Sequence, residues 1–185
     1  MRYGLLRLVL LAALTAWGND ARAQALGDDS SEHLIKAGFV YNFVKLVEWP
    51  PYVSGQKSQP IVIGVLGNNP FATTLDRVVY GKTLDGRPFV VKRLKNQEFI
   101  DCRCHILFVG ELESARLEEI IRFQQTASVL TIAEAPDFAR RGGMIAFVLH
   151  DGKVRFEVNV EAAKQASLTI SSRLLSLATI VTTVR

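Results

Sequence analysis

The sequence predicts an α/β fold: a mixed β-sheet sandwiched by helices, with βαβ units followed by a C-terminal antiparallel hairpin and a helix. Three observations support this class. Continuous apolar runs, typical of strands buried on both faces, occur at residues 61–66, 104–109 and 128–133. Segments with apolar residues at helical spacing separate these runs. Finally, an Asp-Gly pair between two strand patterns, Asp151-Gly152, indicates a hairpin.

The first residues have the pattern of a secretory signal peptide. Arg2 and Arg7 form a charged start, an apolar run follows at residues 8–17, and an A-x-A site ends at Ala23. We expect residues 1–23 to be removed by cleavage after Ala23. The alternative is a membrane anchor, but the apolar run is shorter than the roughly 20 residues that a spanning helix needs.

The remaining residues, 24–185, suit a single α/β domain with one core. The full chain has 185 residues and a formal net charge of +4. Its charges are scattered, without a Lys/Arg run and without aromatic residues interleaved among basic ones. We therefore expect no nucleic-acid partner.

A strongly apolar helix opens the predicted domain. In the stretch IKAGFVYNFVKLVEWPP, residues 35–51, apolar side chains recur at steps of three and four until paired prolines end the helix. One face is centred on Phe43. Because further apolar residues widen it, a second side of the helix must also be covered. That side, with Val40, Tyr41 and Val44, is a candidate partner or dimer surface; the alternative is that other helices of the same domain cover it.

The elements that follow alternate between strands and helices. Beyond the three buried strands, the patterns predict helices at 71–80, 112–124 and 171–181, and strands at 87–94, 144–149 and 153–160. The middle strands should be parallel, because helices cross over between them.

The second hairpin strand has a regular alternation. Its apolar side chains at every other position face the core, so its polar side chains form the opposite, exposed face. Arg155, Glu157 and Asn159 on that face are a second candidate surface for a partner. The alternative is an ordinary solvated face.

The cluster Cys102-Arg103-Cys104-His105 allows three interpretations. A metal site would need further ligands and usually a wider cysteine spacing. A disulfide between Cys102 and Cys104 suits an exported protein, although residues two apart in a strand lie near the upper limit of the Cα separation that a disulfide allows. In the third interpretation, Cys104 is a buried thiol and Cys102 a free thiol.

A glycine-containing turn, GVLGNNP at residues 64–70, lies between a strand and a helix, where ligands often bind. The turn has neither the P-loop lysine nor a G-x-G-x-x-G pattern, so Gly67 and Asn68 are more simply turn residues. No nucleophile elbow or zinc-protease motif occurs. We therefore expect no enzyme, no catalytic residue, no metal and no cofactor.

Several stretches resemble the YfiR-like family of small periplasmic proteins. Besides residues 35–51, they are GVLGNNPF, CHILFV, GGMIAFV and VRFEVNVEAAKQASLTISSRLLSLA, at residues 64–71, 104–109, 142–148 and 154–178. They occur in the family's order over nearly all of the predicted mature chain. The resemblance implies the same α/β architecture and a location in the periplasm.

The resemblance also implies a function. A YfiR-like protein would bind the periplasmic domain of an inner-membrane diguanylate cyclase as a negative regulator, lowering cyclic di-GMP signalling and with it biofilm formation. An OmpA-like outer-membrane lipoprotein would draw the repressor away. The family further implies a homodimer. The alternative is a periplasmic small-ligand-binding or sensor protein that feeds a histidine kinase or a transporter.

The family's disulfides do not carry over. In relatives, the cysteine before the HILF-like strand is bridged to a cysteine near the position of Val65, and a second bridge lies around the Gly-Gly segment. Neither partner cysteine is present here. We therefore expect a Cys102–Cys104 bond or free thiols, without a catalytic role.

Overall fold

The computed structural model describes residues 17–54, 59–67, 70–110, 114–135 and 137–184. Of residues 17–29, 54, 114 and 115 it describes the backbone alone. Most of the predicted signal peptide lies outside this part of the chain, so cleavage after Ala23 stays a prediction.

Helices and strands alternate along the described chain. The helices are α1 (Trp17–Leu46), α2 (Pro51–Ser54), α3 (Phe71–Val79), α4 (Ser114–Gln124), α5 (Val160–Gln165) and α6 (Ser172–Leu175). The strands are β1 (Val47–Glu48), β2 (Ile61–Leu66), β3 (Thr83–Leu84), β4 (Arg87–Leu94), β5 (Ile106–Val109), β6 (Leu130–Ala133), β7 (Ile145–His150), β8 (Lys153–Asn159), β9 (Thr169–Ile170) and β10 (Thr179–Val181).

One mixed sheet organises the fold, with strands in the order β10-β8-β7-β6-β5-β2-β4-β3. β2 pairs in parallel with both β4 and β5, and parallel pairing continues from β5 through β6 to β7. β1 and β9 form a separate antiparallel ladder. The predicted α/β class with a parallel centre is confirmed.

The predicted hairpin is present as β7 and β8, whose register pairs His150 with Lys153. Only Asp151 and Gly152 connect the strands, and their φ angles are 52° and 68°. Positive φ at both central residues defines the type I′ turn, whose twist matches that of the flanking strands.

The first helix is longer and more deeply buried than predicted. Val40 is fully buried and Val44 is 3% exposed, so the prediction that these two residues form a partner or dimer surface is wrong. The physical reason is that α1 contacts α3 and α6 as well as β8 of the sheet. Helices of the same domain therefore cover the second apolar side of α1.

Each face of the sheet has its own apolar core. On the α1 face, Phe39 and Phe43 meet Phe156 of β8 at centroid distances of 5.3 and 5.0 Å, which suits edge-to-face packing. On the other face α4, the disulfide region and Phe138 cover the strands. Gly143 is required here, because a Cβ at this position would lie 2.3 Å from the Phe138 ring.

The C-terminal helix is shorter than predicted. α6 covers only Ser172–Leu175, and Thr179–Val181 instead forms β10, which pairs in parallel with β8. These three residues are all β-branched, which favours a strand. The helix after the hairpin is thus confirmed, while its predicted extension to residue 181 is wrong.

A buried lysine ties α1 to the end of β6. The Lys36 Nζ lies 2.7 Å from Glu134 Oε1 and also pairs with Glu32 one turn earlier. Burial alone would lower the pKa of Lys36, but the hydrogen bonds and charges of the two carboxylates outweigh it, so the pKa is raised. Lys36 is 7% exposed, and its charge is therefore neutralised inside the protein.

None of the helices within the described ranges has both the length and the apolar character that crossing a membrane requires.

Candidate functional site

The third residue predicted on the outer side of α1, Tyr41, is half-buried. Its ring packs edge-on against Phe89 at 5.5 Å. Lys45 Nζ and Lys82 Nζ lie 3.9 and 4.2 Å from the ring centroid. An aromatic ring attracts cations through its quadrupole, so Tyr41 gathers two exposed lysines into a small basic patch, the Tyr41 patch.

The three residues predicted on β8 separate into different environments. Arg155 is exposed, and Glu157 pairs with Arg140 at 2.8 Å. Asn159 is fully buried, so its prediction as a surface residue is wrong. Its Oδ1 accepts from Ala162 N at 3.0 Å, which caps α5, and its Nδ2 donates to Ala139 O. These backbone groups hold the side chain inside.

The cysteine cluster lies just before β5. Cys102 and Cys104 form a disulfide with a Cα–Cα distance of 5.2 Å. This distance is short because Arg103 between them has a φ of 49°, so the chain turns here instead of extending. No group of three or more metal-ligating side chains occurs among the residues that the structure describes.

The turn at residues 64–70 is described except for residues 68 and 69. Gly64 has a packing role, because a Cβ there would lie 2.7 Å from both Cys104 Sγ and Leu94 Cδ1. Gly67 lines an open cleft of about 860 Å³ at the end of β2, together with Arg93 and Lys95. Arg93 is already paired with Asp76 at 2.7 Å.

A second cleft, of about 640 Å³, lies beside the end of α1 and the start of β2. Its volume falls within the range of small-molecule sites. The wall is partly apolar and also carries two acids and three side chains with N–H groups. The lining residues are Val44, Val47, Glu48, Trp49, Ile61, Leu84, Asp85, Arg87 and His105.

Arg87, at the start of β4, is the buried cation of this cleft. Only 8% of its surface is exposed. Nε donates to Gln59 O at 2.8 Å and Nη2 donates to Pro60 O at 3.4 Å. No carboxylate pairs with Arg87 among the described residues, and residues 55–58 contain neither Asp nor Glu. A guanidinium this deeply buried normally has an anionic partner.

His105, which follows the disulfide, meets two hydrogen-bond donors. Val62 N lies 3.2 Å from Nδ1, and Arg87 Nη2 lies 2.8 Å from Nε2. A neutral imidazole accepts at one nitrogen and donates at the other. In either tautomer, one of the two contacts therefore places donor against donor.

Protonation would not resolve this conflict. Burial, reinforced by the positive charge of Arg87, lowers the pKa of His105 to about 4, so the ring is neutral at neutral pH. His105 N also donates to Val62 O at 2.8 Å, which holds the residue at this strand edge. In the tautomer in which Nδ1 accepts from Val62 N, His105 Nε2–H faces Arg87 Nη2; in the other tautomer, Nδ1–H faces Val62 N–H.

Trp49 supplies a further donor to the same cleft wall. Its ring lies edge-on to His105 at 6.1 Å. The indole Nε1 is buried and has no hydrogen-bond partner in the described part of the chain. An indole nitrogen can only donate, so this N–H is left without an acceptor.

Sequence analysis did not find this cleft. It placed Trp49 at a helix end, considered His105 only as part of the cysteine cluster, and did not single out Arg87. The one available signal was Arg87 itself, a charged residue at the start of a strand pattern.

The fold and the cleft define a small mixed-sheet α/β domain with a donor-lined cleft. A YfiR/HmsC-like family model matches residues 33–179, and the chain therefore belongs to that family, as the sequence motifs predicted. The family is a regulatory one and belongs to the periplasm. No curated protein matches the chain.

Proposed function

We propose that this protein is a periplasmic repressor that binds the periplasmic domain of an inner-membrane diguanylate cyclase and lowers cyclic di-GMP signalling. The observation that carries the proposal is the family match over residues 33–179. The protein would need no chemistry of its own. A partner that binds only the inactive state of the cyclase shifts the population towards that state.

The predicted contact residues that are not buried are polar or aromatic ones. Of the predicted contact residues, Arg155 is exposed, and Tyr41 and Glu157 are partly exposed. Lys45 and Lys82, which were not predicted, lie against the Tyr41 ring. We propose the Tyr41 patch and the exposed face of β8 as the contact sites for the cyclase, for an OmpA-like lipoprotein that removes the repressor, or for a second copy in a homodimer.

The first experiment is deletion of the gene, with and without each neighbouring gene for a membrane protein, with intracellular cyclic di-GMP as the readout. A rise that disappears when a cyclase gene is also removed supports repression. An unchanged level in every background contradicts it.

Complementation then tests the surface. Lys45→Glu together with Lys82→Glu reverses the charge of the Tyr41 patch and should fail to lower cyclic di-GMP. Arg93→Glu, which alters an exposed arginine on β4, should still lower it. Equal complementation by both variants would remove the Tyr41 patch from the interface.

Export is tested separately. The amino terminus of the protein from the periplasmic fraction should begin at Gln24 if the predicted signal peptide is removed. A chain that keeps its first residues and remains with the membrane would contradict this.

The second candidate is a periplasmic ligand-binding or sensor protein that feeds a histidine kinase or a transporter. The donor-lined cleft favours it. Deletion would then leave cyclic di-GMP unchanged and alter a kinase response or a transport rate.

A further inference from the structure

We propose that the cleft beside the end of α1 binds a small organic oxyanion, a carboxylate or phosphate group on an apolar body, through Arg87, His105 and Trp49. The binding step is independent of the proposed repressor function. Only its use as a regulatory input would rest on that function.

The first argument is the contact between His105 and Arg87. Their nitrogens Nε2 and Nη2 lie 2.8 Å apart, and Val62 N occupies Nδ1 on the other side of the ring. In the tautomer in which Nδ1 accepts from Val62 N, both Nε2 and Nη2 carry hydrogens, and a bound oxyanion would favour that tautomer. One oxygen placed on the cleft side of this pair can accept from both, which replaces a donor–donor contact by two hydrogen bonds.

The second argument is charge. Arg87 is more than nine-tenths buried, and its partners among the described residues are two backbone carbonyls and the His105 ring, none of them anionic. Carbonyl oxygens satisfy N–H groups but leave the net charge of the guanidinium in place. An oxyanion in the cleft supplies the missing charge, and the planar guanidinium suits carboxylate and phosphate groups.

The third argument is the indole of Trp49. Its buried Nε1–H has no acceptor among the residues that the structure describes, and such a group costs about 1–3 kcal/mol when it stays unsatisfied. It belongs to the same wall as Arg87 and His105. Three donors without enough acceptors therefore meet in one cleft.

The rest of the wall defines the body of the ligand. Val44, Val47, Ile61 and Leu84 supply apolar surface. At about 640 Å³ the cleft is far larger than an inorganic anion requires. A ring or short chain attached to the oxyanion would occupy this apolar part.

The test is calorimetric titration of the full chain with benzoate, phenyl phosphate and benzamide. Benzamide has the shape of benzoate without its charge. We expect saturable binding of at least one oxyanion with a Kd of about 1 mM or lower, and binding of benzamide at least about tenfold weaker. Preference for benzoate or for phenyl phosphate identifies the group. Equal binding of benzamide, or no binding of either oxyanion, overturns the proposal.

Three variants locate the site. Arg87→Gln should weaken oxyanion binding at least about tenfold, whereas the control Arg93→Gln, on the same strand, should leave it unchanged. Trp49→Phe retains the ring and removes only the N–H, so it should weaken binding severalfold without unfolding the chain. This second variant keeps the proposal testable if Arg87→Gln fails to fold. Full binding by Trp49→Phe, or by a folded Arg87→Gln, would overturn it.

A spectroscopic signal separates this site from a distant one. The predicted mature chain, residues 24–185, has one tryptophan, Trp49, so its indole N–H resonance needs no further assignment. Binding in the cleft should shift the Trp49 resonance downfield as its N–H gains an acceptor. Saturable oxyanion binding that leaves the Trp49 resonance unmoved would contradict the assignment.

Discussion

Lys36 and Arg87 are two cations that are buried to the same degree, with 7% and 8% of their surfaces exposed. Lys36 has two carboxylate partners, Glu32 and Glu134. Arg87 has backbone carbonyls and a histidine ring. The first charge is balanced by carboxylates of the chain, whereas no carboxylate in the described ranges pairs with the second.

This difference distinguishes a charge that stabilises the fold from a charge that can bind a ligand. Burying a charge is costly unless it is paired, and removing one partner of a buried pair is costlier still. Lys36 therefore contributes to stability and has no need of a ligand. Hydrogen bonds hold the Arg87 guanidinium in a buried position. An external anion would reduce the electrostatic cost of burying this charge.

Replacing Lys36 gives the largest expected effect. Lys36→Met keeps most of the length of the side chain but removes the buried amine that pairs with Glu32 and Glu134. We expect a loss of about 3 kcal/mol in the free energy of unfolding, measured with urea. The control Lys45→Met, which removes an exposed lysine from the same helix, should cost no more than about 1 kcal/mol. Similar losses in both variants would show that the buried ion pair of Lys36 contributes no more stability than an exposed lysine.

Acidification should lower the free energy of unfolding through His105, the neighbour of Arg87. The pKa of His105 is about 4 in the folded protein, against about 6.5 when unfolded. The unfolded chain thus binds more protons between these values, so the stabilisation is complete above pH 6.5 and is lost as the pH falls towards 4. We expect a loss of about 2 kcal/mol, after allowing for partial solvent screening.

The pH effect requires a matched control, because carboxylates also titrate near pH 4. Urea unfolding at pH 6.5, 5.5 and 4.5 should show a shallower decline for His105→Gln than for the unaltered chain. His150→Gln, which changes an exposed histidine in the hairpin turn, should follow the unaltered chain. A decline that is the same in all three proteins would show that His105 is not its source.

Arg87→Gln should cost less stability than Lys36→Met. Its amide can still donate to Gln59 O, and no carboxylate is left unpaired by the change. We expect a loss of about 1 kcal/mol in urea unfolding. A loss as large as that for Lys36→Met would show that Arg87, like Lys36, serves mainly to stabilise the fold.

The acids at the cleft rim give the smallest effect. Glu48 and Asp85 line the cleft and are exposed, so they weakly repel an entering anion. The double variant Glu48→Gln and Asp85→Asn should tighten oxyanion binding about twofold, an effect that salt should reduce. Weaker binding by this variant would mean that the two carboxylates hold part of the ligand instead.

Much of the fold follows from local sequence. Ile61–Leu66 forms a strand because the whole run is apolar, and Asp151-Gly152 makes the hairpin because these residues accept positive φ. The burial of Val40 did not follow. The apolar stripe showed that a second side of α1 needs cover, but whether α3 or another molecule supplies it depends on tertiary packing.

The cleft depends on strand order, which the sequence does not state. Arg87 and His105 belong to different parts of the chain and meet because β4 and β5 both pair with β2. The donor–donor contact at the His105 ring also involves the backbone N–H of Val62, which no side-chain pattern reveals. The sequence therefore predicted the individual elements better than the site that they form.

The disulfide closes a ring of three residues, and the size of this ring limits how much the bond can stabilise the fold. The stabilisation from restricting the unfolded chain grows with ring size, and for so small a ring it amounts to about 1.5 kcal/mol. The bond therefore stabilises the local turn beside His105 rather than the domain as a whole. A chain made in a reducing cytoplasm should consequently reach its fold, with the difference from the oxidised protein concentrated beside the cleft.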